Sequence, residues 1–479
     1  MKLRIVVALI ALLELGASCA STSSAPPDAQ APSTYRGEAS TAASLGAVPW
    51  RKLYNDPVLQ GLIERALAKN FDVEVAYTQI IEAEASLGIT AANQSVFVNG
   101  VAQAPYEAIT QPRPPNVPSS QFSPQAGISA SYQLDLFGKL ASATGSARNT
   151  LLSTQEATDT VLATVVAEVA TAYFQLRELD DVLAFTRQAI VARKQNVRLM
   201  TLRVQGGESS LQDQRQAEQS LYEVTENLPL IEQSIAQTEN ALSVLTGDYP
   251  HDIARGLPLV QQVAMPAVPQ TGVPSELLQR RPDIAQAQYA IAAAAGNVDV
   301  AKKLLYPSIT LGGSAAAGGS VASGEYPNLP PALAALSNAN GVWYGPFGIF
   351  SVIAQLVQPI FNGGQIHSQI RLSEAQQQQI TIQYLQTVHR AFEEVSDDVT
   401  AYNDSRARTV QLQLYENASV DSVRLANERY ENGYTSYLEV LDAQTREYQA
   451  QTDLAQGQLT ERLALVQLYL ALGGGWQQS

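Results

Sequence analysis

At Gly138 the hydrophobic pattern of the chain changes period, and that change constrains the fold more than any other feature. Upstream, Ile128, Ala130, Tyr132, Leu134 and Leu136 alternate with Ser129, Ser131, Gln133 and Asp135, the period of two of a half-buried strand. Downstream the pattern is helical, and no proline occurs until Pro229. The same switch recurs at Val357-Gln358-Pro359-Ile360-Phe361-Asn362-Gly363-Gly364, after which no proline follows. Both junctions sit between a strand and a very long helix, in two halves of one chain.

From Gly138 to Gln205, Leu162, Val165, Val169, Ala172, Leu176, Leu179 and Leu183 repeat at steps of three and four, the spacing of helices packed as in a coiled coil. At about 1.5 Å per residue such a helix spans roughly 100 Å. Gly206-Gly207 breaks it, and a second helix is expected from about Ser209 to Leu245. In the second half, Leu385, Val388, Phe392, Val395, Val399 and Tyr402 carry the same spacing. A break falls at Gly433 and a last helix reaches about Leu472. Each half also opens on a helix, Pro57 to about Ala92 and Pro274 to about Leu304. A strand comes next in each: Ser95–Gln103, and one through Ile309, Leu311 and Gly313. Laid on each other, Phe137 matches Phe361, Gly206 matches Gly433, and Leu245-Thr246-Gly247 matches Ala471-Leu472-Gly473. Offsets of about 224 to 227 residues argue an internal duplication. The expected organisation is a repeat over 48–247, a Pro- and Val-rich linker over 248–273, a second repeat over 274–473 and a tail over 474–479.

Lys2 and Arg4 precede an apolar run from Ile5 to Leu15, the pattern of a secretory signal peptide over 1–18. Cys19, the one cysteine, follows Leu15-Gly16-Ala17-Ser18, which resembles a bacterial lipobox with Gly16 where Leu is preferred. Lipidation (palmitate) at Cys19 is expected, and ordinary cleavage nearby is the alternative. Ala20 in the second mature position would by resemblance direct a lipoprotein to the outer membrane. Residues 19–47, rich in Ser, Ala, Thr and Pro, then form a flexible tether.

Charge and composition exclude several classes. A net charge of −15 disfavours a nucleic-acid partner, because phosphate binding needs clustered Lys and Arg. One cysteine rules out structural disulfides and cysteine-based zinc sites. His251, His367 and His389 lie far apart and suggest no metal site. Phosphate-loop, nucleophile-elbow and zinc-protease motifs are lacking, so neither an enzyme nor a cofactor is expected. No apolar run reaches the roughly 18 residues of a spanning helix. Four strands of about ten residues, each with one apolar and one polar face, read instead as membrane-barrel strands. Four strands cannot close a barrel, and an open edge is not tolerated in lipid. Several copies sharing one barrel solve this, and three copies give twelve strands.

These residues resemble the TolC-like outer-membrane factors, in the lipoprotein (NodT-like) branch that serves resistance-nodulation-division efflux pumps. The matching segments are Trp50 with Asp56-Pro57, Leu134 to Lys139, Pro274 to Ile284 with Arg280-Arg281-Pro282-Asp283 at its centre, Tyr306 to Leu311, Pro359 to Gly364, and Arg429 to Gly433 through Tyr437 to Gln444. Departures are Tyr132-Gln133, where the family often has Trp-Glu, and Val96, where many members have proline. The resemblance implies a mainly α, mixed α and β chain that trimerises into a twelve-stranded β-barrel plus an α-helical tunnel. It implies a passive outer-membrane exit duct for small molecules, docked on a periplasmic adaptor and an inner-membrane resistance-nodulation-division transporter. A type I protein-secretion outlet of the same fold and a non-pore structural or adaptor lipoprotein are the alternatives. It further implies a periplasmic gate at the helix breaks Gly206, Gly207 and Gly433. Tyr430 would hold the inner helices there, and Glu439 with Asp442 would form an acidic ring of six carboxylates in a trimer. Thr435 stands where one family member has a gate arginine. For Arg280 and Arg281 the expectation is structural: surface or inter-helix ion pairs.

Overall fold

The computed structural model describes residues 31–36, 44–108, 120–323, 337–338 and 341–476. The signal peptide, Cys19 and Ala20 lie outside them. Nine helices of seven or more residues are described: α1 (Pro57–Lys69), α2 (Phe71–Ala92), α3 (Lys139–Gln205), α4 (Leu211–Thr225), α5 (Asn227–Leu245), α6 (Pro274–Arg280), α7 (Pro282–Lys303), α8 (Gln365–Glu431) and α9 (Tyr437–Ala471). The strands are β1 (Phe97–Gln103), β2 (Tyr106–Ala108), β3 (Ser120–Phe122), β4 (Gln125–Leu134), β5 (Ser308–Ser323), β6 (Ser337–Asn338) and β7 (Gly341–Val357). No described helix is long and apolar enough to cross a membrane. The chain divides into two compact units.

The first unit comprises Ala83–Leu151 and Ile291–Ile380 in its described part. Its antiparallel sheet runs β1-β4-β5-β7 through the long strands, while β2, β3 and β6 are short additions at one end. The ten-residue expectation fits β4, but β5 has 16 residues and β7 has 17. Alternation alone understated both, because Gly and Ala in β5 blur the apolar and polar positions. At the first handover Asp135 accepts from two of the orphan N–H groups at the start of α3, Leu140 at 3.1 Å and Ala141 at 2.8 Å. That is an N-terminal cap made by the side chain. Gly138 supplies the turn with a left-handed φ of 71°, which glycine adopts without steric cost. Phe137 stacks on Tyr306 at 4.9 Å, and the Lys303 ammonium donates to the Gly138 carbonyl and the Ser142 hydroxyl. The second handover, residues 358–364, uses two consecutive left-handed glycines, Gly363 and Gly364.

The second unit comprises Pro26–Glu82, Leu152–Ala290 and Thr381–Ser479. Leu162, Val165, Val169 and Leu176 are buried in its main core, with Ala172, Leu179 and Leu183 partly buried against it. The heptad stripe is thus the packed face of α3. On α8, Val388, Val395, Val399 and Tyr402 are buried, and Leu385 and Phe392 half-buried. Asp56 sits fully buried at the start of α1. It accepts from Val58 N, Leu257 N, the Tyr173 hydroxyl and Gln262 Nε2 at 2.7–3.1 Å. Asp56-Pro57 therefore caps a helix and also pins the inter-repeat linker.

The structure differs from the sequence expectations at several points. The opening helix is two helices, because Asn70 interrupts it. The Asn70 amide donates to Leu245 O, and its carbonyl oxygen accepts from Asp72 N and Val73 N. The helix after Gly207 is also two, parted at Glu226. Pro229 has no N–H to offer the Thr225 carbonyl one turn back. The tether is not free along its length: Tyr35 is buried with its ring 6.2 Å from that of Phe392. A 3₁₀ turn over Leu45–Ala47 packs Gly46 against Leu472. Finally, the repeat offset is single-valued at the helix ends. The left-handed glycines pair as Gly138 with Gly364, Gly207 with Gly433 and Gly247 with Gly473, each 226 residues apart. The equivalent of Gly433 is Gly207, not Gly206, because only Gly207 takes the left-handed turn.

Candidate functional site

Two regions carry the geometry that a duct needs, one in each unit. In the first, the registers of the sheet sort every described residue of the four long strands onto one of two faces. One face carries Val98, Gly100 and Ala102 of β1, Ala126, Ile128, Ala130, Tyr132 and Leu134 of β4, and Ile309, Leu311, Gly313, Ala315 and Ala317 of β5. Leu356, Ala354, Val352, Phe350 and Gly348 of β7 complete it. It holds no charged or amide side chain, and Val98, Ile128, Phe350, Val352 and Leu356 are each more than 60% exposed. An apolar face of that breadth, left to solvent, is the lipid-facing surface of a barrel. The opposite face carries Gln133, Ser131 and Ser129 beside Thr310, Gly312 and Ser314. The Ser314 and Ser351 hydroxyls meet across it at 2.8 Å.

In the second unit, α3 and α8 end in the same way. Gly207 N bonds to Val204 O and Glu208 N to Arg203 O; Gly433 N bonds to Tyr430 O and Tyr434 N to Arg429 O. Both are Schellman stops, in which a left-handed glycine lets the chain fold back to satisfy the last carbonyls. Beside them Met200, Ala217, Ala426, Tyr437, Val440, Leu441 and Ala443 form a small core, joining the ends of α3 and α8 to the starts of α4 and α9.

Of the residues singled out in the sequence, Tyr430 is the most connected. The Arg203 guanidinium lies 4.8 Å from the centre of its ring and donates to its hydroxyl. The rings of Tyr430 and Tyr437 are 5.4 Å apart. Tyr430 thereby ties the end of the first long helix to the end of the second. Glu439 and Asp442 are both exposed on α9, but neither is a bare carboxylate. Arg429 pairs with Glu439 at 3.1 Å, the Thr435 hydroxyl donates to Glu439, and Arg446 pairs with Asp442 at 2.9 Å. Within the chain each of these two carboxylates thus has an arginine partner. Thr435 engages Glu439 through its hydroxyl, while the cation comes from Arg429, six residues earlier. Sequence analysis does not single out Arg203 or Arg429. Their signal was present: both stand four residues before the left-handed glycine, again 226 apart.

Further along the same helices a polar layer joins α3 to α9. The Thr186 and Tyr448 hydroxyls meet at 3.0 Å, and Asn196 donates to Gln444 at 2.8 Å. Between them the buried Arg193 donates to Ser220 O at 2.6 Å and to the Thr445 hydroxyl. Burial pulls the guanidinium of Arg193 below its usual range. The Arg280-Arg281-Pro282-Asp283 block makes ion pairs: Arg280 with Glu276, and Arg281 with Asp283 at 2.7 Å and Glu394 at 2.8 Å. Arg281 also donates to Ala471 O. A cavity of about 350 Å³ adjoins it, lined by Glu394 and Asp398 among others. Burial, with Glu394 and Asp397 nearby, pushes the Asp398 carboxyl up to about 6, against the pull of Arg281. Among the described residues, no group of three or more His, Cys, Asp or Glu is arranged to hold a metal ion.

Comparisons with known proteins place this geometry. The profile of the outer membrane efflux protein family matches residues 62–248 and 273–474. The chain is 31% identical to the solvent efflux pump outer membrane protein SrpC of Pseudomonas putida over 463 residues, covering 95% of this chain and 94% of the relative. It is 29% identical to the cation efflux system protein CusC of Escherichia coli over 432 residues, covering 90% and 88%. Among solved structures, the open-state MtrE outer membrane channel of Neisseria gonorrhoeae superposes with a TM-score of 0.80 at 26% identity, covering 94% of this chain and 97% of that one. A membrane protein from Pseudomonas aeruginosa gives 0.80 at 26%, covering 95% and 100%. With both segments matched and the fold shared along nearly its whole length, this chain belongs to the outer membrane efflux protein family.

Proposed function

We propose that this protein is the outer-membrane exit duct of a tripartite efflux pump. It would pass small toxic compounds from a periplasmic adaptor and an inner-membrane resistance-nodulation-division transporter to the exterior. The observation that carries this reading is the four-stranded antiparallel sheet with one wholly apolar face and both edges unpaired among the long strands. Such a sheet is stable in lipid only if its edges are closed. Three copies closing on one another make twelve strands, within the range of known barrels. Each chain adds two helices of 67 residues, about 100 Å each, a length suited to a periplasmic tunnel. The chain does no chemistry in this reading; the pump supplies the energy.

The helix ends at Gly207 and Gly433, with Arg203, Tyr430, Glu439 and Asp442, form the periplasmic mouth and its gate. Cys19 carries a lipid anchor, and Tyr35 docks the tether sixteen residues later, which limits its reach to about 55 Å when fully extended. The efflux reading is favoured over protein secretion by the named roles of the matched relatives, SrpC and CusC. Purified protein reconstituted in planar bilayers tests the proposal. A trimer with discrete ion-conducting steps is expected, and a monomer without conductance would overturn the duct. Radiolabelled palmitate incorporation lost in Cys19→Ser tests the anchor.

A further inference from the structure

The apolar face of the sheet ends in a row formed by Leu134 of β4, Ile309 of β5 and Leu356 of β7. Just beyond that row the chain changes character. Leu136, Phe137 and Tyr306 are exposed there, and Ile360 and Phe361 are each more than 90% exposed. Lysine comes next. Three of the seven lysines in a chain of net charge −15 fall at this one place: Lys139, Lys302 and Lys303. Lys139 and Lys303 line a cavity of about 140 Å³, with the stacked rings of Phe137 and Tyr306 in its wall. Lys302 stands outside the cavity and pairs with Glu374 at 3.1 Å. Lys303 donates to neutral oxygens, the Ser142 hydroxyl at 2.6 Å and the Gly138 carbonyl at 3.2 Å. Among the described residues neither Lys139 nor Lys303 has an ion-pair partner, although both are half-buried. The acid lining the cavity, Asp135, already accepts from the Leu140 and Ala141 N–H groups.

A strand-to-helix handover does not itself require these lysines. At the second handover Gly364 is followed by Gln365 where Gly138 is followed by Lys139. The helix α2, which like α7 has 22 residues, ends in Ala91-Ala92 where α7 ends in Lys302-Lys303. The basic cavity is therefore an addition to one handover only. Half-buried cations without an acid call for an anion from outside the chain. At the rim of a face that lies in lipid, the anion at hand is a phospholipid headgroup. We propose that Lys139 and Lys303 bind the phosphate of an anionic phospholipid. Its glycerol region then rests against Phe137 and Tyr306, and its acyl chains run along the apolar face beside Leu134 and Ile309. Aromatic rings favour the headgroup level of a bilayer, and basic pockets at a membrane boundary hold anionic headgroups. A lipid held there fixes the depth at which the sheet sits in the membrane. The inference rests on the barrel reading and adds a ligand to it.

Native mass spectrometry of the full-length protein tests this, because it reads oligomer mass and bound lipid together. The protein in detergent is offered phosphatidylglycerol and phosphatidylcholine in equal amounts. A preference for phosphatidylglycerol of roughly 30-fold is expected, about fivefold per ammonium. Lys139→Gln should lower it about fivefold and leave the Lys303 hydrogen bonds to the handover in place. Lys139→Gln with Lys303→Gln should abolish it, while Lys303→Arg and, in the other unit, Lys194→Gln retain it. Inorganic phosphate in excess should leave the lipid bound; displacement by it would assign the cavity to free phosphate and overturn the lipid. An oligomer that holds both lipids equally, or whose preference falls as much in Lys194→Gln, would overturn the headgroup site and leave the duct standing. A protein that is only monomeric would overturn the barrel reading itself.

Discussion

The contact between Arg203 and Tyr430 is expected to hold the mouth closed, and its strength can be worked from the geometry. Tyr430→Phe removes the hydroxyl that accepts from Arg203 but keeps the ring under the guanidinium. A hydrogen bond from a charged donor contributes about 1.5–3 kcal/mol net, and both side chains here are half-buried, which favours the lower end. The guanidinium over the ring adds about 0.5–1 kcal/mol. Arg203→Met removes both, about 2 kcal/mol per chain. At about 1.4 kcal/mol per factor of ten, that is roughly 30-fold in the closed-to-open ratio of one chain, and of order 10⁴ if three copies move together. The assay is single-channel recording in planar bilayers, reading the fraction of time at high conductance. Both variants should raise it, Arg203→Met more. The double variant should match Arg203→Met alone, because the arginine is needed for both contributions. Open fractions within twofold of the parent, or strictly additive effects, would refute a latch at this contact.

Three further outcomes follow from the same coordinates. Replacing Glu439 and Asp442 by Ala frees Arg429 and Arg446 from their partners, so reversal potentials in a salt gradient should move toward anion selectivity; an unchanged potential would mean the pair does not face the ion path. Gly207→Ala should destabilise by about 1–2 kcal/mol through its left-handed φ, since nothing lies within 4 Å of the added Cβ, whereas Gly206→Ala should be near neutral in thermal unfolding. Asp398, an acid held up near 6 against an ordinary value near 3.9, binds its proton more tightly folded than unfolded. Stability is therefore lost as pH rises from about 4 to about 6 and stays lost above. Asp398→Asn should flatten that slope in melts across this range, and an unchanged slope would exclude the residue as its source.

How legible each feature was depended on how local its cause is. The long helices were readable because their stripes repeat every three or four residues over many turns, and a seam of that length tolerates no other period. The handovers were readable because the hydrophobic period changes from two to helical within a few adjacent residues, at Gly138 and again before Gly364. Asn70, by contrast, breaks a helix by bonding Leu245 O from 175 residues away, which no window of sequence contains. The acidic pair at 439 and 442 was visible as a spacing, but its arginine partners were not. Arg429 reaches Glu439 only because the Schellman turn at Gly433 brings α8 and α9 side by side. Arg203 meets Tyr430 across 227 residues, a pairing set by how the repeats pack.

By itself the sequence determined the repeated order of elements and the two strand-to-helix handovers. Those depend on local period, on turn residues and on composition. Tertiary structure alone decided which residues share a face of the sheet and which arginines answer the acids and the tyrosine near the helix ends. Register and packing between segments far apart in the chain carry those facts, because a face is defined only once four strands spread from Phe97 to Val357 have paired.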